Sequence, residues 1–275
     1  MWSLRKSRRK LAQWLQGKPR PKMFLVTPSP NPKRPQPKNR DFSMIELQTL
    51  ASGSSGNAYL LSNGSSSLLL EAGITAQKLQ RLSKFRLSGL DGALVSHEHG
   101  DHSSGALALM RSGVDCYMSR GTADALGAAG HRLHIVRGLE QFQIGPWTVL
   151  PFDTVHDAAE PLGFLLADGR HKILFATDTR YLKYRFQGLT HLFIECNHSR
   201  PILRESVNEG IVHPTLAHRI RQAHMSLETL QRMLAANDLS RVQEIRLLHL
   251  SDDNSDEEGF VQAIQEQTGI PTYAE

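Results

Sequence analysis

The stretch Gly92-Ala93-Leu94-Val95-Ser96-His97-Glu98-His99-Gly100-Asp101-His102 constrains this chain more than any other. Its apolar run, Ala93 to Val95, reads as a buried strand. Three histidines and two carboxylates then fall within six residues. In an extended segment, side chains two apart share a face, so His97 and His99 reach one ion together. Asp101 and His102 follow a bend that a glycine permits, and turn toward a second ion. Ser103 or Ser104 is placed to cap a helix that starts at Ala106. Imidazole and carboxylate together are the donors that zinc-like ions prefer. The zincin helix motif is excluded, because Asp101 stands where its second histidine would be.

The rest of the chain supplies further candidates at strand ends. Ile45 to Leu50 alternates as a strand and runs into Ser52-Gly53-Ser54-Ser55-Gly56-Asn57, a tight loop whose N–H and hydroxyl groups suit a phosphate. Ala58 to Leu61 and Ser67 to Glu71 read as paired strands. His156 follows a strand that ends near Phe152. Leu162 to Ala167 and Lys172 to Thr177 form a hairpin across Asp168-Gly169, and the second strand delivers Asp178. Each oxygen of one carboxylate can bind one ion, so Asp178 is placed to bridge a pair. Leu192 to Cys196 is a further apolar strand, ending in Asn197-His198. Ile245 to Leu250 carries His249. The segment from Arg200 to His224 reads as a solvated helical face, with His213 and His218 at the surface. Ser226 caps the helix that follows.

Charge is distributed unevenly. Residues 1–43 hold twelve of the 32 Lys/Arg and one of the 27 acids, for +11, which leaves −6 for the remainder. The sequence pI of about 9.3 therefore reflects a tail and not a basic catalytic surface. Seven of the 13 prolines lie between Pro19 and Pro37, the composition of an extended linker. Residues 1–18 could form a short basic amphipathic helix facing nucleic acid or anionic lipid. Residues 1–43 are expected to be a disordered basic extension, and 44–275 a single catalytic domain. No apolar run reaches the length of a transmembrane helix. Two cysteines, Cys116 and Cys196, are too few for a disulfide framework and suit a reducing, cytoplasmic setting.

The His97–His102 string resembles the H-x-H-x-D-H signature of the metallo-β-lactamase superfamily. Four further stretches resemble the WalJ/YycJ-type nucleases of that superfamily: Ala51 to Asn57, His156 to Pro161, Glu195 to His198 and His249 to Asn254. The likeness runs from about Met44 to the C-terminus. It implies an αββα four-layer sandwich of the α/β class, with the site at one edge between two sheets. It also implies two divalent ions, zinc or manganese. His97, His99 and His156 would hold one, Asp101, His102 and His249 the other, and Asp178 would bridge them. Glu71-Ala72-Gly73 stands where the family shows Asp-x-Gly, whose acid braces the metal loop. His224-Met225-Ser226 resembles the family's Gly-His-Leu-Ser element, with Ala223 and Met225 as replacements. His224, or else His198, is then the proton donor to a leaving oxygen. Ser54, Ser55, Asn57 and Asn197 are the candidates for touching substrate.

Such a set performs metal-assisted hydrolysis without a nucleophilic side chain. The expected activity is a nuclease, acting as an exonuclease on DNA or RNA, with nucleic acid as partner. No membrane contact through the tail is expected. A phosphodiesterase for small cyclic phosphates shares the same donors, and so does a hydrolase for thioesters or lactams. A catalytically silent tether to nucleic acid or membrane is the reading from another class.

Overall fold

The layering follows from the two-residue period of the strands. In the run Ile173-Leu174-Phe175-Ala176, alternate side chains enter two different cores. Both sides of the sheet must therefore be covered. The computed structural model describes residues 44–84 and 87–275. The basic extension 1–43, with its expected amphipathic helix, lies outside the described residues.

Two sheets result. In the first, β1 (Glu46–Ala51), β2 (Ala58–Ser62) and β3 (Ser67–Leu70) form an antiparallel meander. Strands β4 (Gly92–Leu94), β5 (Cys116–Met118) and β6 (Leu133–Ile135) continue it in parallel. Its order is β1-β2-β3-β4-β5-β6. In the second, β7 (Phe142–Ile144), β8 (Trp147–Asp153), β9 (Leu162–Ala167) and β10 (Lys172–Ala176) are antiparallel. Strands β11 (His191–Glu195), β12 (Glu244–Leu248) and β13 (Thr272–Ala274) then add in parallel. The three-residue edge strands β6 and β13 are not anticipated from sequence.

Leu61, Leu68 and Leu70 of the first sheet meet Trp147, Phe164, Phe175 and Phe193 of the second in the central core. The outer face of the first sheet packs on α1 (Ala76–Leu82), α3 (Ala106–Arg111) and α4 (Arg120–Leu126) through Leu79, Leu109 and Ala123. Between α1 and α3 in sequence lies α2 (Gly100–Ser103), a single turn. Helices α5 (Arg200–Asn208) and α6 (Pro214–Ala223) form a pair with a small core of their own around Leu203 and Ala217. Helices α7 (Leu227–Ala235) and α8 (Glu257–Thr268) cover the outer face of the second sheet through Leu230, Leu234, Phe260 and Ile264. These are the four layers of the expected sandwich. Among the described residues, no helix is long and apolar enough to cross a membrane.

Candidate metal centre

Every candidate ligand lies just beyond the C-terminal end of a strand. The loop His97–His102 follows β4. His156 follows β8, Asp178 follows β10 and His249 follows β12. The ligand loop differs from the expected bend at Gly100. Residues 100–103 form the helical turn α2, with the N–H groups of His102 and Ser103 donating to His99 O. The Ser103 hydroxyl donates to the carbonyls of Glu98 and His99, so it locks the loop. The cap of α3 is Gly105, not a serine.

The loop is held from below by main-chain bonds. Asn57 N donates to Asp101 O at 2.7 Å, and Ala72 N to His102 O at 2.8 Å. Gly73 has no room for a side chain, since a Cβ there would lie 1.7 Å from Asp101 O. Glu71 does the bracing expected of the shorter aspartate. Its carboxylate is fully buried and accepts from Ser96 N and from the Thr177 hydroxyl, both at 3.2 Å. One acid thus joins the strand ends of the two sheets.

Above this base, two donor groups share Asp178. In the first, His99 Nδ1 lies 3.1 Å from both His97 Nε2 and His156 Nε2, and Asp178 Oδ2 lies 3.3 Å from His156 Nε2. In the second, Asp178 Oδ1 lies 3.2 Å from His102 Nε2 and 2.7 Å from His249 Nδ1. Asp101 Oδ2 completes that group, 3.4 Å from His102 Nε2. The donor atoms of each group fall within 4.8 Å of one another.

These separations fit cations. Nitrogen ligands 2.0–2.1 Å from a tetrahedral ion sit about 3.3 Å apart. Asp178 Oδ1 and His249 Nδ1 are close, yet each is a buried polar atom without a hydrogen-bond partner. Such atoms cost free energy unless something of opposite charge meets them. Burial, aided by His102, pushes His97 well below the usual histidine range. Burial likewise lowers His156. Both rings are neutral donors. Burial opposes ionisation of Asp178, but the facing His102 and His249 hold its carboxyl well below the usual range. Asp178 in turn raises His102 and His249 against the pull of burial, so this buried anion already gathers positive charge, and a divalent ion could take the protons' place.

The structure adds one acid that sequence reasoning assigned no role. Glu195, fully buried at the end of β11, accepts from His224 Nδ1 at 2.5 Å, Thr179 N at 2.8 Å and Met225 N at 3.0 Å. Burial works against its charge, but His224 brings it down to about 2. The partnership raises His224, against the pull of burial. Its sequence signal was a glutamate inside the apolar run Leu192-Phe193-Ile194-Glu195-Cys196, where a charge needs a partner. His224 is 18 % exposed and 3.9 Å from Asp178 Oδ2, so it faces the donor groups with one edge toward solvent. His198 is 1 % exposed, paired through its backbone with Ser226, and lowered to about 4 by burial.

The candidates for substrate contact divide by burial. Ser54 and Ser55 stand exposed at the tip of the β1–β2 loop. Asn57 is fully buried, and its amide bonds Gly53 N, Gly53 O and Asp101 O. Asn197 is buried as well and donates to His249 O at 3.0 Å. Both asparagines brace the ligand loops. Ser52 acts with them, accepting from His249 N. His213 and His218 are exposed and belong to neither donor group.

A two-sheet sandwich with this donor set at its strand ends defines a metal-dependent hydrolase of the metallo-β-lactamase fold. Residues 66–249 match the family described as Beta-lactamase superfamily domain, and the chain belongs to that family. Within it the chain falls in the WalJ/YycJ branch. It is 29% identical over 232 residues to the exodeoxyribonuclease WalJ of Streptococcus pneumoniae, covering 77% of this chain and 83% of that one. It is 27% identical over 230 residues to the exodeoxyribonuclease YycJ of Bacillus anthracis, covering 77% and 84%. Two solved structures share the fold at lower identity. The metallo-β-lactamase fold protein YhfI of Bacillus subtilis has a TM-score of 0.63 at 15% identity, covering 85% of this chain and 97% of that one. Zinc-bound PqqB of Methylobacterium extorquens has 0.62 at 14% identity, covering 84% and 97%.

Proposed function

We propose that the domain 44–275 is a di-metal phosphodiesterase that works as an exonuclease on nucleic acid, DNA being favoured by the names of its relatives. The observation that carries the di-metal part is the division of Asp178: one oxygen faces His97, His99 and His156, the other faces Asp101, His102 and His249. Two zinc or manganese ions held there would supply Lewis acidity toward a phosphoryl oxygen and a water acidic enough to attack near pH 7.

The chain's own groups do the rest. His224 Nδ1 is committed to Glu195, so Nε2 is the atom that can give a proton to the leaving oxygen. Glu195 fixes that ring and stabilises its charged form, while its bonds to Thr179 N and Met225 N keep the carboxylate in place. His198 is too buried to reach solvent, which leaves proton delivery to His224. Ser54 and Ser55, at the loop tip, are the hydroxyls open to a phosphate. The basic extension 1–43 would add non-specific attraction to the same substrate.

The test is hydrolysis of end-labelled DNA and RNA, single and double stranded, across a zinc and manganese series. Single-nucleotide products from one end are expected, and Asp101→Ala should abolish them. Turnover of bis-p-nitrophenyl phosphate with no oligonucleotide cleaved would move the reading to small phosphodiesters. No hydrolysis of either would overturn it.

A further inference from the structure

The residues directly after Asp178 are fastened to the metal centre yet point out of it. Arg180 N donates to Val155 O, next to His156, and Val155 N donates to the Thr179 hydroxyl. That hydroxyl also donates to Tyr181 O, and Thr179 N is held by Glu195. The backbone of Arg180 and Tyr181 is thus pinned by the neighbours of two ligands. Tyr181 is nonetheless 43 % exposed, one of few large apolar groups in solvent among the described residues. Two residues, Thr179 and Arg180, separate it from Asp178, so over three peptide steps their Cα atoms lie at most about 11 Å apart. An extended strand covers that distance with a nucleotide or two.

Two cations lie on this rim: Arg180, next to the tyrosine in sequence, and Arg219 of α6, the helix that His224 caps. Arg219 and Gln222 lie three apart on one helix face. Arg219 Nε bonds Asp157, beside His156, at 3.0 Å, and Gln222 accepts from Arg180 at 2.5 Å. Arg219 is 63 % exposed and Arg180 is exposed as well. Each guanidinium offers five N–H donors, so one bond to a neighbour leaves it able to grip a phosphate. Arg219 pairs with Asp157, while the nearby Glu98 carboxylate is bonded to Ala159 N.

We infer that Arg180, Tyr181 and Arg219 form a shelf that holds a single nucleic-acid strand at the mouth of the metal centre, with one unpaired base stacked on Tyr181. This rests on the nuclease reading above and names the form of its substrate. Stacking needs an open base face, which a paired duplex interior lacks. The guanidiniums carry the backbone and give no sequence preference.

The test uses the full chain loaded with manganese and a short phosphorothioate single strand that resists hydrolysis, with a blunt hairpin duplex as comparison. Binding is read by fluorescence anisotropy. Tyr181→Ala should weaken single-strand binding about five-fold or more. It should leave duplex binding, which the basic extension also supports, within two-fold. Tyr181→Phe, which keeps the ring, should restore the single-strand affinity. Arg219→Ala should weaken both and flatten the salt dependence. Thermal melting checks that each variant is folded. A loss under two-fold for Tyr181→Ala, an equal loss on duplex, or no binding by the wild type would overturn the shelf. If the pattern holds but unmodified strands are never cleaved, the nuclease reading falls and the shelf stands.

Discussion

Asp178, His249 and Glu71 share a backbone feature that side chains alone would hide: all three are non-glycine residues with positive φ, at 36°, 55° and 64°. Such conformations cost about 1–3 kcal/mol each, and they persist only where surrounding bonds enforce them. Here the enforcing bonds are visible. Asn197 and Ser52 hold the His249 backbone, and Leu94 O holds Glu71 N. The strain turns each side chain back from its strand end toward a common point. Gly73 is the complementary case, where a bare backbone lets Asp101 approach. Gly73→Ala should therefore displace the ligand loop and strip the protein of metal, read as metal content after gel filtration. Wild-type occupancy in a folded variant would count against this. Glu195→Gln should lower hydrolysis by about a hundred-fold, on the scale of a lost general acid. It should cost about 1–3 kcal/mol of stability, because with the amide oxygen accepting from Thr179 N and Met225 N the amide nitrogen faces His224 Nδ1 and cannot accept from it. A cycle with His224→Gln tests whether the two act together: the double variant should be little worse than the worse single one. Additive losses would separate them.

Elements were legible where their pattern was long and one-sided. The alternation in β1, the β9–β10 hairpin with its Asp168-Gly169 turn, and the Ser226 cap of α7 appear where the sequence puts them. Strands β6 and β13 did not, since three residues at a sheet edge carry no period to read. The turn α2 was hidden because Gly100 looks like a bend, whereas carbonyl acceptors on His99 wind it into a helix. The likeness to a known family named seven ligands that no local spacing could join, as they come from both sheets. Glu195 escaped because its partners, His224 and Thr179, are distant in sequence. The far end of β11 offers a separate test. Burial lowers His191 to about 4, with His171 adding to the effect. A histidine ordinarily titrates near 6.5, so between pH 6.5 and 4 the unfolded chain binds the extra proton and stability falls as pH falls. Its contribution is fully present above 6.5, and about 2 kcal/mol of it is lost by pH 5. His191→Phe should remove that share. Thr190, which bonds the His191 ring, keeps its hydroxyl bond to Lys172 O. Urea midpoints at pH 7 and pH 5 should shift less in the variant than in the wild type; equal shifts would contradict the assignment.

At the scale of the whole molecule, the candidate centre is a seam. Four of its ligands hang from β4 in the first sheet, and His156, Asp178 and His249 hang from β8, β10 and β12 in the second. The central apolar core presses the sheets together, and at the seam Asp178, buried beside Glu195 of the neighbouring strand, faces donors that both sheets supply. Ions held by those donors would cross-link the sheets, and an ion that binds only the folded chain stabilises it by mass action. At a hundred times its dissociation constant, one bound ion contributes about 2.7 kcal/mol. For a domain of this size, each kcal/mol moves the melting temperature by about 2–4 °C. Removing the metal with a chelator should therefore lower the melting temperature by about 5–10 °C for each ion lost, and returning zinc or manganese should restore it. Asp178→Asn, which keeps the shape but halves the bridge, should reduce both the loss and the recovery. A melting curve indifferent to chelator in the wild type would mean that the two sheets are held by their apolar core alone and that no ion joins them.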